Sequence, residues 1–200
     1  MARSTVDIFN MALGWLGGAQ LTGVESTWEK STPGTLCKNL FPVILADALE
    51  AHDWSFALRR ADLPLKSTPG GQGYQYRYGR PADCLRLVEL EGAGHGRGPC
   101  FITDGQDILT DEAPARLLYV ANITDPNQWT AAFSLALSWG LAAFLSTAQK
   151  NDSQQQELCA RNYQIQLAEA WVRDMSTQNP RMPLSPWQSA RAGDDAEGGY

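Results

Sequence analysis

Hydrophobic and polar positions follow a helical period at both ends of this chain and an alternating period in its middle. Near the N-terminus, Val6, Phe9, Leu13 and Leu16 recur every three or four positions, which predicts a helix. Ser4 and Asp7 form a capping box before it, and Gly17-Gly18 ends it. A second helix is predicted from Thr32-Pro33, with Pro42 as a kink inside it. Its expected buried face is Leu36, Leu40, Val43, Ile44, Asp47, Ala48 and Ala51.

From Trp54 onward the period changes to that of strands. Phe56 to Ala61 alternates imperfectly, and Tyr74, Tyr76 and Tyr78 alternate strictly. Further strands are predicted over 84–91, over 101–110 as a hairpin turning at Asp104-Gly105, and over 115–122. These segments predict a small antiparallel sheet inserted between two pairs of helices.

Residues 126–149 form a stretch of 24 residues without a charge, which predicts a third helix. Its expected core face is Phe133, Leu137, Leu141, Phe144 and Ala148. A helix that is apolar nearly all round is a core helix or a membrane span, and its hydroxyls, its glutamines and the lack of flanking basic clusters favour the core. Because one 200-residue chain can hardly cover such a helix, other side chains are expected to meet a neighbouring copy. These subunit-interface candidates are Trp129, Ser134, Ser138 and Trp139.

A fourth, Gln-rich helix is predicted over 152–175, facing solvent behind a thin apolar line at Leu158, Asn162/Ile165, Ala168/Glu169 and Val172. Regularity ends after Ser176. Pro180, Pro183 and Pro186 recur every three residues, as in a polyproline II turn, among Met182, Leu184 and Trp187. This segment cannot build a core of its own and is expected either to be loose or to dock extended on a partner.

The fold class predicted from these patterns is α+β, mainly α. We expect a four-helix bundle formed by residues 1–55 and 122–175, an inserted β-rich region at 56–121, and an extended C-terminal tail at 176–200.

Composition limits the kinds of function to be considered. The net charge of −6 disfavours a protein whose main role is to grip phosphate backbones. No signal peptide is visible, so the four cysteines are expected to be reduced, and they show no zinc-site spacing. We therefore predict no metal and no cofactor.

Candidate chemistry along the chain is weak. His52 and Asp53 are neighbours in sequence, and side chains of adjacent residues on a helix diverge. The glycine-rich segment around His95 lacks a P-loop lysine pattern. We therefore expect no enzyme, although a small enzyme with an unrecognised pocket remains a second alternative. The first alternative is a DNA-binding module built on basic and aromatic residues of the sheet, namely Arg59, Arg60, Arg77, Arg80, Arg86 and the tyrosines.

Five blocks, in order, resemble the tail tubular protein A family of bacteriophages, the head-to-tail connectors or adaptors. The opening block is STVDIFNMALGWLG at 4–17, and HDWSFALRRA follows at 52–61. YGRPADCLR at 78–86 resembles the family's strand entry, and ILTDE at 108–112 resembles its second hairpin arm. LYVANITDP at 118–126 then runs into the charge-free helix. Gly79-Arg80 and the insert at 92–98 depart from the family pattern.

The resemblance implies a structural virion protein, assembled in the host cytoplasm and located in the tail connector. It implies a dodecameric ring between the portal protein and the tail nozzle protein, forming part of the DNA ejection conduit. Double-stranded DNA would pass without specific binding, and no membrane would be involved. By analogy with the family, the tail is expected to dock on the portal through Arg181, Met182, Leu184, Trp187 and Tyr200.

Overall fold

Four helices and six strands are described by the computed structural model, which covers residues 4–23, 28–66, 71–91, 101–150 and 152–177. In chain order they are α1 (Thr5–Trp15), α2 (Thr32–Glu50), β1 (Leu58–Asp62), β2 (Tyr76–Gly79), β3 (Cys84–Glu91), β4 (Phe101–Asp104), β5 (Asp107–Thr110), β6 (Arg116–Ala121), α3 (Ala131–Lys150) and α4 (Ser153–Thr177).

The strands form two separate antiparallel sheets of three strands each, with orders β1-β6-β3 and β2-β5-β4. The two sheets share a core that includes Tyr78 and Ile108 from one sheet and Leu90, Leu117 and Tyr119 from the other. The opposite face of the first sheet packs on the helices, where Val120 joins the main core. The described chain is therefore layered: helices, then the first sheet, then the second.

The prediction of a four-helix bundle carrying one small inserted sheet is wrong. The fold is mixed, with the six strands divided between two sheets, and α3 lies at the centre of the helices and packs against each of the other three. The sequence could not show at which point the chain leaves one sheet and enters the other. Only four residues separate β2 from β3, which would suit a hairpin, but Arg80 donates to the carbonyl oxygens of Cys84 and Leu85 and the chain passes to the other sheet.

Local signals placed several element boundaries correctly. Ser4 and Asp7 form the predicted capping box of α1, and Gly17 follows that helix with φ +64°. The predicted turn at Asp104-Gly105 joins β4 to β5, with Gly105 at φ +61°. Helix α2 begins at Thr32, after the cap Ser31, and continues through Pro42.

The third helix begins later than predicted. Residues 126–128 form a short 3₁₀ turn, and α3 starts at Ala131, where the Thr130 hydroxyl accepts the backbone N–H of Phe133. Phe133, Leu137 and Leu141 are fully buried as expected, whereas Phe144 and Ala148 are exposed. The predicted face was wrong at its end because the covered side of the helix differs there: Leu145 and Ser146 are fully buried in place of Phe144 and Ala148.

The buried faces of α2 and α4 are also rotated from the predicted ones. On α2, Val43 and Asp47 are exposed, while Phe41, Leu45 and Leu49 are buried. On α4, the predicted apolar line at Leu158, Ile165 and Val172 faces outward. The buried row of α4 is Cys159, Tyr163, Leu167, Ala170 and Asp174.

Candidate functional site

A groove of about 610 Å³ lies on the outer side of the helical layer, between α2 and α4, with α3 beneath it. Its floor is formed by α3 at Gly140 and Ala143. A Cβ atom on Gly140 would lie 3.1 Å from Cγ2 of Ile44 and 3.1 Å from Cδ2 of Tyr163, so this glycine lets the two flanking helices approach closely. The lining residues are Asp47, Gly140, Ala143, Phe144, Gln156, Glu157, Ala160, Arg161, Tyr163 and Gln164.

One hydrogen bond joins the two walls of the groove. The Tyr163 hydroxyl donates to Oδ2 of Asp47 at 3.0 Å. Burial, reinforced by the Asp47 charge, raises the pKa of Tyr163 well above its usual range, so the phenol stays protonated and acts as a donor. The bond fixes the spacing of α2 and α4 across Gly140.

Phe144 is the large apolar side chain of the groove. It is 55% exposed, although it lies only one turn after Gly140 on a helix that is otherwise mostly buried. An apolar recess rimmed by an exposed aromatic ring can take up a hydrophobic side chain from another protein.

The subunit-interface candidates predicted from the sequence lie elsewhere, and three of the four are covered by the chain itself. Trp129, Ser134 and Ser138 are buried. The indole of Trp129 donates to the carbonyl oxygen of Ile123, and the Ser134 hydroxyl donates to that of Thr130. The expectation that one chain could not cover this side of α3 is therefore wrong for these three residues.

Trp139, the fourth candidate, is half-buried. Its ring stacks on that of Trp15 with centroids 4.2 Å apart and planes 9° from parallel. The Trp15 indole also donates to Oγ of Ser138 at 3.1 Å. Helix α1 thus covers the side of α3 that was expected to need a neighbouring copy.

The portal-docking candidates Arg181, Met182, Leu184, Trp187 and Tyr200 lie outside the described residues. The end of α4 at Thr177 marks where the described chain meets the predicted tail.

The arginines of the proposed DNA-binding face are divided between the two sheets and held by acceptors within the chain. Arg60 pairs with Glu91, Arg86 pairs with Asp53, and Arg77 pairs with Asp104 and Asp107 at 3.0 Å each. Arg59 and Arg80 donate to backbone carbonyl oxygens. Tyr78, which was expected to share this face, is buried between the sheets. These residues do not form one continuous basic surface.

A second recess, of about 560 Å³, lies where α2 ends. The His52 ring stacks on Trp171 of α4 with centroids 4.6 Å apart, and it lies nearly perpendicular to the Trp54 ring, at 81°. Burial, and then the neighbouring Arg86 charge, lower the pKa of His52. Asp53 is held in an ion pair with Arg86, so the two neighbours His52 and Asp53 have separate structural partners.

Metal ligands and thiols give no further candidate site in the part of the chain that is described. No group of three or more His, Cys, Asp or Glu side chains is placed to hold a metal ion there. Cys37, Cys84 and Cys159 are free thiols, and burial raises the pKa of Cys37 to about 12. Within the same residues, Ala131–Ala148 is long and apolar enough to cross a membrane, but 61% of that segment is buried in the fold, as in a core helix.

Comparison with known proteins adds no family assignment. No family model matches this chain, and no curated protein is significantly similar to it.

Proposed function

We propose that this chain is a structural subunit of a bacteriophage virion, a head-to-tail adaptor that forms a ring between the portal protein and the tail nozzle protein. The ring would be dodecameric and would serve as part of the DNA ejection conduit. The five sequence blocks that resemble the tail tubular protein A family suggest this role, and the proposal includes no catalytic step and no cofactor.

The observation that carries the proposal is the distribution of exposed apolar side chains. Eight large hydrophobic residues of the described chain are exposed, and seven of them lie on helices. They are Trp15, Val43, Phe144, Leu158, Ile165, Val172 and Met175, with Leu65 on the sheet side. Four of the seven lie on one side of α4, and a group of exposed apolar side chains is typical of a surface that meets other proteins. The groove beside Phe144 borders that helix, and we assign the contact between ring neighbours to the groove.

The charge distribution supports a passive conduit over a DNA-binding module. The chain carries a net charge of −6, and Arg60, Arg77 and Arg86 are paired with carboxylates. An acidic wall repels phosphate, so DNA can move along it without being held.

The test is to mix the purified chain with the portal protein encoded by the same phage genome. Native mass spectrometry and electron-microscopy class averages are expected to show twelve-subunit rings of this chain on portals. A chain that stays off portals, or that binds duplex DNA with a salt-sensitive submicromolar affinity, overturns the proposal.

Two variants test the groove as the contact between ring neighbours. Phe144→Glu places a charge beside the apolar recess and is expected to prevent ring formation while the chain stays folded. Leu65→Glu is the matched control, because Leu65 is 60% exposed but lies on the sheet side. Rings that form equally well with both variants show that the groove is not the contact.

A further inference from the structure

Helix α4 carries a second apolar row on the side away from the fold. We call it the outer seam; it consists of Leu158, Arg161, Ile165, Ala168, Val172 and Met175, all of them exposed. Successive members are three, four, three, four and three residues apart, which is the spacing of a coiled-coil contact row. The buried row of α4 lies on the other side of the helix, so the outer seam has no partner within the described chain.

We infer that, in the free chain, the outer seam pairs with the outer seam of a second copy, and that the two α4 helices run antiparallel. The order of spacings reads the same from either end of the seam. A two-fold axis passing between Ile165 and Ala168 therefore sets every member of one seam opposite a member of the other. Contacts of this kind are isologous, as in most dimers.

The identities of the seam residues select the antiparallel arrangement. In a parallel pair each residue faces its own copy, so Arg161 would face Arg161 and the small Ala168 would face Ala168. In the antiparallel pair Ile165 faces Ala168, Leu158 faces Met175, and Arg161 faces Val172. Large residues then fill the space left by small ones, and no like charges face each other.

Charges beside the seam permit two copies to approach. Four exposed residues of α4 are charged, Glu157, Arg161, Glu169 and Arg173, and they balance to zero although the whole chain is at −6. Glu169 already pairs with Arg173 at 3.4 Å on the same helix. In the antiparallel register Arg161 of one copy lies within one turn of both Glu169 and Arg173 of the other, so no net charge is brought against it.

This pairing differs from the ring contact proposed above and does not depend on it. Neighbours in a cyclic ring meet through different surfaces, so a two-fold contact cannot join them. The antiparallel pair is thus a state of the free chain before assembly. Of the seam residues, Arg161 also lines the groove beside Phe144, and the other five lie outside it.

Sedimentation equilibrium on the full-length chain tests the seam. We expect a monomer–dimer equilibrium in which Ile165→Glu raises the dissociation constant by at least about 100-fold, because the two-fold places the charge in the interface twice. Val43→Glu is the matched control: Val43 is 67% exposed on α2, outside the seam, and its variant should dimerise like the unmodified chain. A monomeric unmodified chain, or equal weakening by both variants, overturns the inference.

Cysteine cross-linking tests the orientation. Leu158→Cys and Met175→Cys are made in separate chains, and the unmodified chain, oxidised in the same way, gives the background from native thiols. An antiparallel pair gives a disulfide-linked dimer only when the two variants are mixed. Cross-linking of either variant with itself indicates a parallel pair, and no dimer above background indicates no pairing; both results overturn the inference.

Removal of residues 178–200 tests the chain's own tail as the occupant of the seam. A dissociation constant unchanged by the deletion supports pairing through α4. A full-length monomer that dimerises only after the deletion shows instead that the tail covers the seam, and overturns the inference.

Discussion

Replacing Leu137 with alanine tests whether α3 is the central helix of the fold. Leu137 is fully buried, in a core that also includes Phe133 and Leu141. The substitution removes three carbon atoms, which at about 0.8 kcal/mol per buried CH₂ gives about 2.4 kcal/mol of lost transfer free energy. The cavity left behind adds to this, so we expect the free energy of unfolding to fall by about 2–5 kcal/mol.

Phe144→Ala is the matched control on the same helix. Sequence periodicity places Phe144 on the same face as Leu137, but the structure leaves it 55% exposed. Its truncation removes a larger side chain, yet we expect a loss of only about 1 kcal/mol, because more than half of the ring is exposed and no closed cavity forms. The smaller substitution should therefore have the larger effect.

Urea unfolding followed by tryptophan fluorescence measures both variants. Leu137→Ala should lower the unfolding midpoint with an unchanged slope, which is the behaviour of a pure stability change. A loss below about 1 kcal/mol for Leu137→Ala, or an equal loss for Phe144→Ala, would refute the placement of these two side chains.

Three further predictions concern contacts away from α3. Asp174→Ala removes the buried acceptor of both the backbone N–H and the hydroxyl of Ser55, and should cost about 1–3 kcal/mol in urea unfolding; a neutral result would mean that water replaces it. The pKa of His52 is lower in the folded chain than in the unfolded one, so its contribution to stability should be complete above about pH 6.5 and should be lost as the pH falls through the folded pKa. His52→Phe should show a weaker loss, and identical unfolding profiles of this variant and the unmodified chain between pH 5 and 8 would refute the prediction. His95→Asn is the control at the second histidine. Deletion of 178–200 should leave the circular dichroism of the chain helical and its unfolding cooperative but abolish attachment to portals, and unchanged portal occupancy would exclude a docking role for that segment.

Local rules predicted those elements whose limits are set by neighbouring residues. Ser4 caps α1 because its side chain accepts a backbone N–H two residues on, and this depends on nothing distant. The turn at Gly105 needs a positive φ, which glycine adopts without strain. Such features can be predicted from a few consecutive residues.

Sheet partners could not be predicted in the same way. Strands β2 and β5 pair with each other, and β3 pairs with β6, so the division into two sheets depends on contacts between residues about 30 positions apart. The alternation of Tyr76 and Tyr78 indicates a strand but carries no information about which strand lies beside it. The strands of the inserted region were therefore predicted, but their division into two sheets was not.

The candidate site was missed because the sequence pattern shows which residues are apolar but not which of them are covered. Trp129 and Ser138 were assigned to a subunit interface on the assumption that the chain was too small to cover α3. The stack of Trp15 on Trp139 shows how α1 covers part of that surface. Phe144 was assigned to the core by its period, yet α2 and α4 leave it open at the groove. A signal was present at Gly140, since a small residue in a helix often marks a close helix crossing, and a groove can form where the crossing helices separate.

Helix α4 shows most directly why burial and hydrophobicity differ in this protein. Its buried row includes a tyrosine and an aspartate, which are held by hydrogen bonds to Asp47 and Ser55. Its exposed row includes Leu158, Ile165 and Val172. A hydrophobic pattern alone favours the opposite orientation, because buried polar groups are unfavourable unless each one has a partner. Here the partners are supplied by α2 and by the turn after it, so Tyr163 and Asp174 can face inward beside Leu167, and the row of Leu158, Ile165 and Val172 is left exposed. The exposure of this second apolar row is an argument for the assembly proposed above.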